Sequence, residues 1–281
     1  MEKRKMEKLG IETSLLGFGC MRFPVNAEGK IDRPEAQKML DKAIAAGVNY
    51  IDTAYPYHNG ESELFVGEAL KKYDRSSYYL ATKLPCWKVE KLEDVEEIVN
   101  EQLTKLQTDY IDFYLLHALD KGRFDKMVEL GVVEKLDELR AAGKIKYIGF
   151  SFHDSYESFK RILNAYDGWE FCQIQLNYMD VNYQAGIAGL EDAHEKGLAV
   201  VIMEPLRGGA LASIPEEVAA MMPKSPVESA LDFLWHHKEI NVVLSGMSNT
   251  EQVEQNMEYA SRATAGMLSD EEYARMLAAG D

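Results

Sequence analysis

The sequence has no long apolar run, few cysteines and too little positive charge, and each shortage removes a class of protein. No stretch reaches the roughly 18 uninterrupted apolar residues of a membrane span, and Met1-Glu2-Lys3-Arg4-Lys5 is not followed by the apolar segment of a secretory signal. No membrane partner is expected. The three cysteines, Cys20, Cys86 and Cys172, are too sparse and irregular for a disulfide framework or a cysteine metal site, and they fit a reducing cytoplasm. No His-Glu-x-x-His spacing suggests a metal. Lys and Arg number 31 against 47 Asp and Glu, a net charge of −16, so the chain lacks the basic face that nucleic acid requires. No Gly-x-Gly-x-x-Gly follows the first strand-like run, which argues against a Rossmann dinucleotide domain. No linker or low-complexity tract interrupts the chain. A single domain over 1–281 is expected, with a short tail at 263–281.

What the sequence does contain is a regular alternation of strand-like and helix-like segments. A hairpin turning near Leu9-Gly10 leads into a strand ending at Gly17-Phe18-Gly19. Strands are then predicted at Asn49–Asp52, Tyr78–Lys83, Ile111–His117, Lys146–Ser151, Phe171–Leu176, Ala199–Glu204 and Val242–Ser245. They are β-branched or aromatic and nearly continuous in apolar character, as in a parallel sheet buried on both faces. Between them the pattern predicts helices at Pro34–Ala46, Ser62–Leu70, Leu92–Leu106, Lys126–Ala142, Ser155–Asn164, Gly186–Lys196, Val227–His237 and Thr250–Ala260, with a last helix near Ser269–Leu277. Alternation alone also allows an open doubly wound sheet. The count of eight and a length of 281 residues favour a (β/α)8 TIM barrel with an N-terminal β-hairpin.

In such a barrel the C-terminal strand ends open onto one pocket. Asp52, Lys83 and His117 each end an apolar run, and Tyr57 lies just beyond the first. Together they form a proton-donating set for a carbonyl oxygen. A free phenol near pKa 10 is a poor donor at neutral pH. The Lys83 ammonium would stabilise the phenolate, Asp52 would hold Lys83, and His117 would orient the carbonyl. Taken singly, each residue has an ordinary structural reading, because ion pairs and core histidines are common. Four coincidences at the expected strand ends favour the catalytic one.

Asp52-Thr53-Ala54-Tyr55-Pro56-Tyr57, followed by Gly60-Glu61-Ser62-Glu63, resembles the signature of the aldo-keto reductases. Leu16-Gly17-Phe18-Gly19, Leu115-Leu116-His117, Gly149-Phe150-Ser151 and Gln173-Ile174-Gln175 fall where that family has its other motifs. The resemblance runs from about Lys8 to Asn256. It implies a barrel with a nicotinamide cofactor across its mouth, and Asp52, Tyr57, Lys83 and His117 as the catalytic tetrad reducing an aldehyde or ketone. It also implies that Ser151 and Gln173 bind the carboxamide. Phe152 and then His153 follow Ser151 where the family usually has Asn, and Met203 stands where a Tyr often stacks on the nicotinamide. Pro205-Leu206-Arg207-Gly208-Gly209 resembles the pyrophosphate loop, and Gly246-Met247-Ser248-Asn249 with Gln252 and Asn256 resembles the adenosine-phosphate loop. Where NADPH-preferring members present Lys and Arg, this chain has Gly246 and Gln252. The expectation is NADPH, with NADH also accepted.

Met21, Arg22, Tyr55, Cys86, Trp87 and Leu119 follow strand ends and are expected on the substrate side. His58, His236 and His237 are expected at the surface. Phe150-Ser151-Phe152-His153-Asp154, Cys172–Asp180 and Met203–Gly209 resemble a bacterial subgroup often fused to a ferredoxin-like iron–sulfur segment. With no cysteine after Cys172 no such cluster is expected, and the chain reads as either a short member or a trimmed barrel with an open mouth. The rival readings are a non-catalytic nicotinamide-binding barrel acting as a redox-sensing subunit, and a sugar-phosphate isomerase or lyase. The second gives no reason for the Tyr–Lys–Asp–His set.

Overall fold

Two strands, β1 (Lys3–Met6) and β2 (Ile11–Ser14), pair antiparallel around Gly10, whose φ of 66° suits a glycine at the turn. They close the N-terminal end of the barrel. Met6 packs on its interior, and the Arg4 guanidinium donates to the carbonyls of Trp235, His237 and Ile240. The computed structural model describes residues 1–280.

Eight parallel strands follow: β3 (Leu16–Gly19), β4 (Tyr50–Asp52), β5 (Tyr79–Leu84), β6 (Ile111–Leu119), β7 (Ile145–Phe152), β8 (Phe171–Gln175), β9 (Ala199–Met203) and β10 (Ile240–Ser245). Each pairs with the next, and β10 returns to β3 with Val243 opposite Leu16, so the barrel is closed. Outside run α1 (Arg33–Ala45), α2 (Glu61–Leu70), α3 (Glu93–Leu106), α4 (Lys121–Glu129), α5 (Val132–Ala141), α6 (Tyr156–Ala165), α7 (Gly186–Glu195), α8 (Glu216–Ala219), α9 (Pro226–His236), α10 (Thr250–Ala260) and α11 (Asp270–Gly280).

Side chains alternate between the barrel interior and the helix layer, as the pleat requires. Tyr50, Ala81, Phe113, Leu115, Phe171, Ala199, Val201, Val242 and Leu244 fill the interior. Large and small residues interlock there: a Cβ on Gly149 would lie 2.5 Å from the Phe171 carbonyl oxygen and 2.6 Å from its ring. The same alternation sets the next layer up. Asp52 stands two residues after Tyr50, Lys83 after Ala81, His117 after Leu115, Ser151 after Gly149, Gln173 after Phe171 and Met203 after Val201. The polar residues at the mouth therefore continue the inward-facing register of the apolar core.

Two expectations need correction, and one short helix was not expected. The helix predicted over Lys126–Ala142 is two helices. Asp120 caps α4 by accepting from Arg123 N–H at 2.7 Å, and Gly131 at φ 74° breaks the run before α5. The short α8 has no sequence period to announce it. His236 and His237 are half-buried rather than at the surface, because α11 covers them. His236 Nδ1 accepts from Leu268 N–H at 3.1 Å, and Tyr273 packs on both rings. Among the described residues no helix is long and apolar enough to cross a membrane.

Candidate active site

Lys83 is fully buried at the end of β5, and its ammonium is held by three oxygens. Nζ donates to Asp52 Oδ1 at 2.6 Å, to the Thr53 carbonyl at 2.8 Å and to the Tyr57 hydroxyl at 3.4 Å. Gln173 Nε2 donates to the other oxygen of Asp52 at 3.1 Å. Behind β5 a second buried network fixes the strand. Gln102 of α3 donates to the Lys83 carbonyl at 2.9 Å and to Glu63 of α2 at 2.7 Å, and Thr82 donates to the same Glu63 oxygen. Glu63 lay inside the quoted signature. Gln102 carried no signal beyond a polar residue on the apolar face of α3.

Tyr57 enters from the loop after β4, just before a sharp turn in which His58 and Asn59 take φ of 51° and 55°. Burial pushes its phenol above the usual range, and the Lys83 ammonium works against that push. The sequence-based expectation of a lowered pKa named the right partner but left out the larger effect. Burial also raises Asp52, with Lys83 opposing. For Lys83 burial favours loss of the proton, yet Asp52 and Tyr57 outweigh it and the pKa is raised, so the ammonium is kept. His117 is the opposite case. Burial first, then the charges of Lys83, His153 and Arg123, lower its pKa to about 2, so its imidazole is neutral at working pH.

These groups form the deep end of one cleft of about 440 Å³. Asp52, Tyr57, His117, Ser151 and Gln173 line that end, and Lys83 lies beneath it. The wall continues along Met203, Pro205, Leu206 and Gly208 and finishes at Gly246, Ser248, Gln252 and Asn256. At this far end Asn249 caps α10, Gln252 Oε1 accepts from Ser248 N–H at 2.7 Å, and Asn256 donates to Ser245 Oγ at 2.7 Å. Met21 also lines the cleft.

Several expected residues lie elsewhere. Arg207 is turned out of the cleft by its own φ of 48°, toward Asp180 at 3.4 Å. Tyr55 docks on α3: its hydroxyl donates to Glu101 at 3.1 Å, and the Lys88 and Lys105 ammonium groups lie 4.5 and 4.0 Å from its ring centre. Trp87 is 45% exposed and stands at the rim, its ring 5.2 Å from that of His117. Cys86 and Leu119 are buried in the outer core. His58 is half-buried against Phe23 rather than exposed.

Arg22 lies in the cleft wall, across the far end and not on the substrate side. A Cβ on Gly246 would meet its Cγ at 2.7 Å, and its Nη2 is 4.0 Å from the Cβ position of Gly208. His153 and Glu204 also line the cleft. Phe152 is swallowed by the core, so strand alternation brings His153 to the cleft in its place. The φ of 58° at Glu204 marks it as a built turn, a property invisible in sequence.

The model of the Aldo/keto reductase family matches residues 15–280. An uncharacterized oxidoreductase of Bacillus subtilis, YqkF, is 27% identical, over 97% of this chain and 94% of its own length. L-galactose dehydrogenase of Arabidopsis thaliana is 28% identical, over 92% and 87%. The holo form of the aldo-keto reductase AKR11C1 from Bacillus halodurans superposes with a TM-score of 0.85 at 28% identity, covering 100% of this chain and 97% of that one. A strand-end tetrad in a closed barrel, a family match over nearly the whole chain and relatives of this kind agree: the protein belongs to the aldo/keto reductase family and is an NAD(P)H-dependent oxidoreductase acting on aldehydes or ketones.

Proposed function

We propose that Tyr57 is the proton donor to the carbonyl oxygen, that Lys83 and Asp52 set its acidity, and that His117 orients the substrate, with the barrel acting as one catalytic domain. The observation that carries this reading is the single ammonium shared between Asp52 and the Tyr57 hydroxyl at the floor of the cleft.

The cleft suits a nicotinamide dinucleotide. Ser151 and Gln173 place a hydroxyl and an amide beside the tetrad. Arg207, Gly208 and Gly209, at φ 48°, 66° and 100°, form a run of left-handed residues, a backbone shape that turns amides toward an anion. The Arg22 guanidinium reaches the same stretch, its Nη2 4.0 Å from the Cβ position of Gly208. Met203 offers a thioether to the ring, and Pro205 and Leu206 an apolar floor. When bound, the reduced nicotinamide supplies a hydride to the carbonyl carbon.

Tyr57 gives its proton to the oxygen as negative charge gathers there. A raised pKa keeps the phenol protonated at neutral pH, and the nearby ammonium steadies the phenolate left behind. Neutral His117 donates a hydrogen bond without surrendering a proton. Alcohol oxidation is the same path reversed. Met21 and Trp87 flank the position where the carbonyl would dock.

We further propose that NADPH is accepted, with a smaller margin over NADH than in members carrying an arginine at position 252. A small-molecule carbonyl is the only partner this reading requires; nucleic acid and membrane have no part in it. Three buried free thiols support a cytoplasmic location. The test is oxidation of NADPH and NADH against a panel of aldehydes and ketones, with Tyr57→Phe as control. No carbonyl-dependent oxidation, or equal rates in the two proteins, would overturn the assignment.

A further inference from the structure

His117 makes no hydrogen bond that fixes its ring: Nδ1 is buried without a partner among the described residues. Its aim must come from the backbone and from packing on Trp87 and Tyr57. The backbone there is irregular. Leu116 pairs with Phe150 and Leu119 with Phe152, so His117 and Ala118 together oppose Ser151 alone. This is a β-bulge, a device that re-aims side chains beside active sites. Leu119 joins Leu116 in the outer core because of the extra residue. Without the bulge Leu119 would face the interior.

Ala118 carries the distortion. Its φ is 52°, a left-handed value that glycine takes freely and alanine does not. Both of its backbone polar groups are lost to the sheet ladder and recovered by side chains. Ser151 Oγ accepts from Ala118 N–H at 2.7 Å. Arg123 Nη1, in the first turn of α4, donates to the Ala118 carbonyl at 2.7 Å, and the same atom lies 3.1 Å from Asp120. The helix after β6 thus reaches back to hold the strained end of its own strand.

We propose that Arg123 is a positioning residue for carbonyl reduction: with the Ser151 hydroxyl, its guanidinium clamps Ala118 in the β6 bulge and so aims His117 into the cleft. The inference rests on the reading of His117 as the group that orients the carbonyl. Arg123 itself touches neither substrate nor cofactor. Its positive charge also adds to the effects that keep the imidazole neutral.

The test combines kinetics with NMR of labelled histidine rings in Arg123→Met, Arg123→Lys, Ala118→Gly and the double variant Ala118→Gly/Arg123→Met. Misplacing a catalytic group by about an ångström costs up to roughly a hundredfold, so Arg123→Met should lower kcat by about ten- to a hundredfold. Cofactor affinity should stay near wild type, and the His117 ring signals should broaden or split. Arg123→Lys, which keeps the charge and one donor, should recover part of the rate. In the Ala118→Gly background the loss should shrink, because glycine holds φ > 0 without the clamp. A role confined to anchoring α4 would lower the melting temperature in Arg123→Met, leave His117 and kcat unchanged and show no coupling to position 118. That result would overturn the proposal. If Arg123→Met fails to fold, Arg123→Lys against Ala118→Gly gives the same comparison. If the wild-type protein reduces no carbonyl, the catalytic reading falls, while the ring signals still decide whether Arg123 holds His117.

Discussion

Lys83 and Tyr57 come from different strand ends, 26 residues apart, and meet with the ammonium nitrogen 3.4 Å from the phenol oxygen. That contact is longer than the 2.6 Å bond the same nitrogen makes to Asp52. The order is informative. Asp52 fixes the ammonium; on the proposed mechanism this leaves its hold on the phenol loose enough for Tyr57 to give up and regain a proton. Removing the proton while leaving the ring should therefore isolate the chemistry. Tyr57→Phe is expected to lose at least the roughly 10²–10⁴-fold of general acid catalysis, with cofactor affinity nearly intact. Stopped-flow turnover alongside cofactor titration checks it. A variant keeping more than about a tenth of wild-type kcat would lie outside that range and remove Tyr57 from the role.

Lys83→Met should move the pH profile as well as lower the rate. The phenol is already raised by burial, and the ammonium is the force holding it down. Without it the pKa rises further. Reduction needs the protonated phenol, so its alkaline limb should shift to higher pH. Oxidation needs the phenolate, so its rising limb should shift the same way. Profiles measured with chemistry rate-limiting and overlaying those of wild type would rule out Lys83 as the tuning charge.

Half-buried, neutral His117 makes the fold sensitive to mild acid. Its pKa is about 2 in the folded protein, against an ordinary 6.5. Below the ordinary value only the unfolded state binds the proton, so stability falls as pH drops through it. One such group costs about 2 kcal/mol between pH 7 and pH 5. His117→Asn should flatten the pH dependence of denaturant unfolding by that amount, whatever its effect at neutral pH. Parallel curves for the two proteins would show that His117 is protonated in the fold.

Tyr55 was expected in the substrate wall, and its place on α3 gives a different outcome. Tyr55→Phe removes a solvent-exposed hydrogen bond to Glu101, which is worth less than about 1 kcal/mol. Substrate preference should not change. A changed ranking across a carbonyl panel would return Tyr55 to the pocket.

The difference between Tyr55 and Lys83 shows how far the sequence could be read. Lys83, Asp52 and His117 were legible because a parallel strand has a period of two and a barrel collects its strand ends, so position along the run decides both face and height. Tyr55 sits in a loop, where no period sets direction, and its neighbours on α3 are distant in sequence. Arg207 escaped for another reason. Its left-handed backbone reverses the side chain, and residue type does not reveal φ. The split of the Lys126–Ala142 helix was visible in Gly131 but weaker than the apolar period around it. Gln102 and Arg123 lie on helices and act on strands, across contacts that only the folded chain creates.

Cofactor choice should turn on Gln252. Gln252 Oε1 occupies the Ser248 N–H at the far end of the cleft, a donor that a phosphate oxygen would need if the proposed adenosine-phosphate site lies there. Binding a 2′-phosphate there requires the amide to leave or offers one donor fewer. Gln252→Arg changes both things: it frees the amide and adds a cation, and a charge-assisted bond is about twice as strong as a neutral one. NADPH should tighten selectively by roughly 1–2 kcal/mol, about five- to thirtyfold in dissociation constant. NADH should change little, since it carries no 2′-phosphate. Gln252→Ala frees the amide without the charge and should capture only the smaller part of the gain. Fluorescence titration of both cofactors against the three proteins separates the contributions. An unchanged NADPH/NADH ratio in Gln252→Arg would mean that position 252 does not face the 2′-phosphate, and that cofactor selection lies with Arg22 or with the loop after β9.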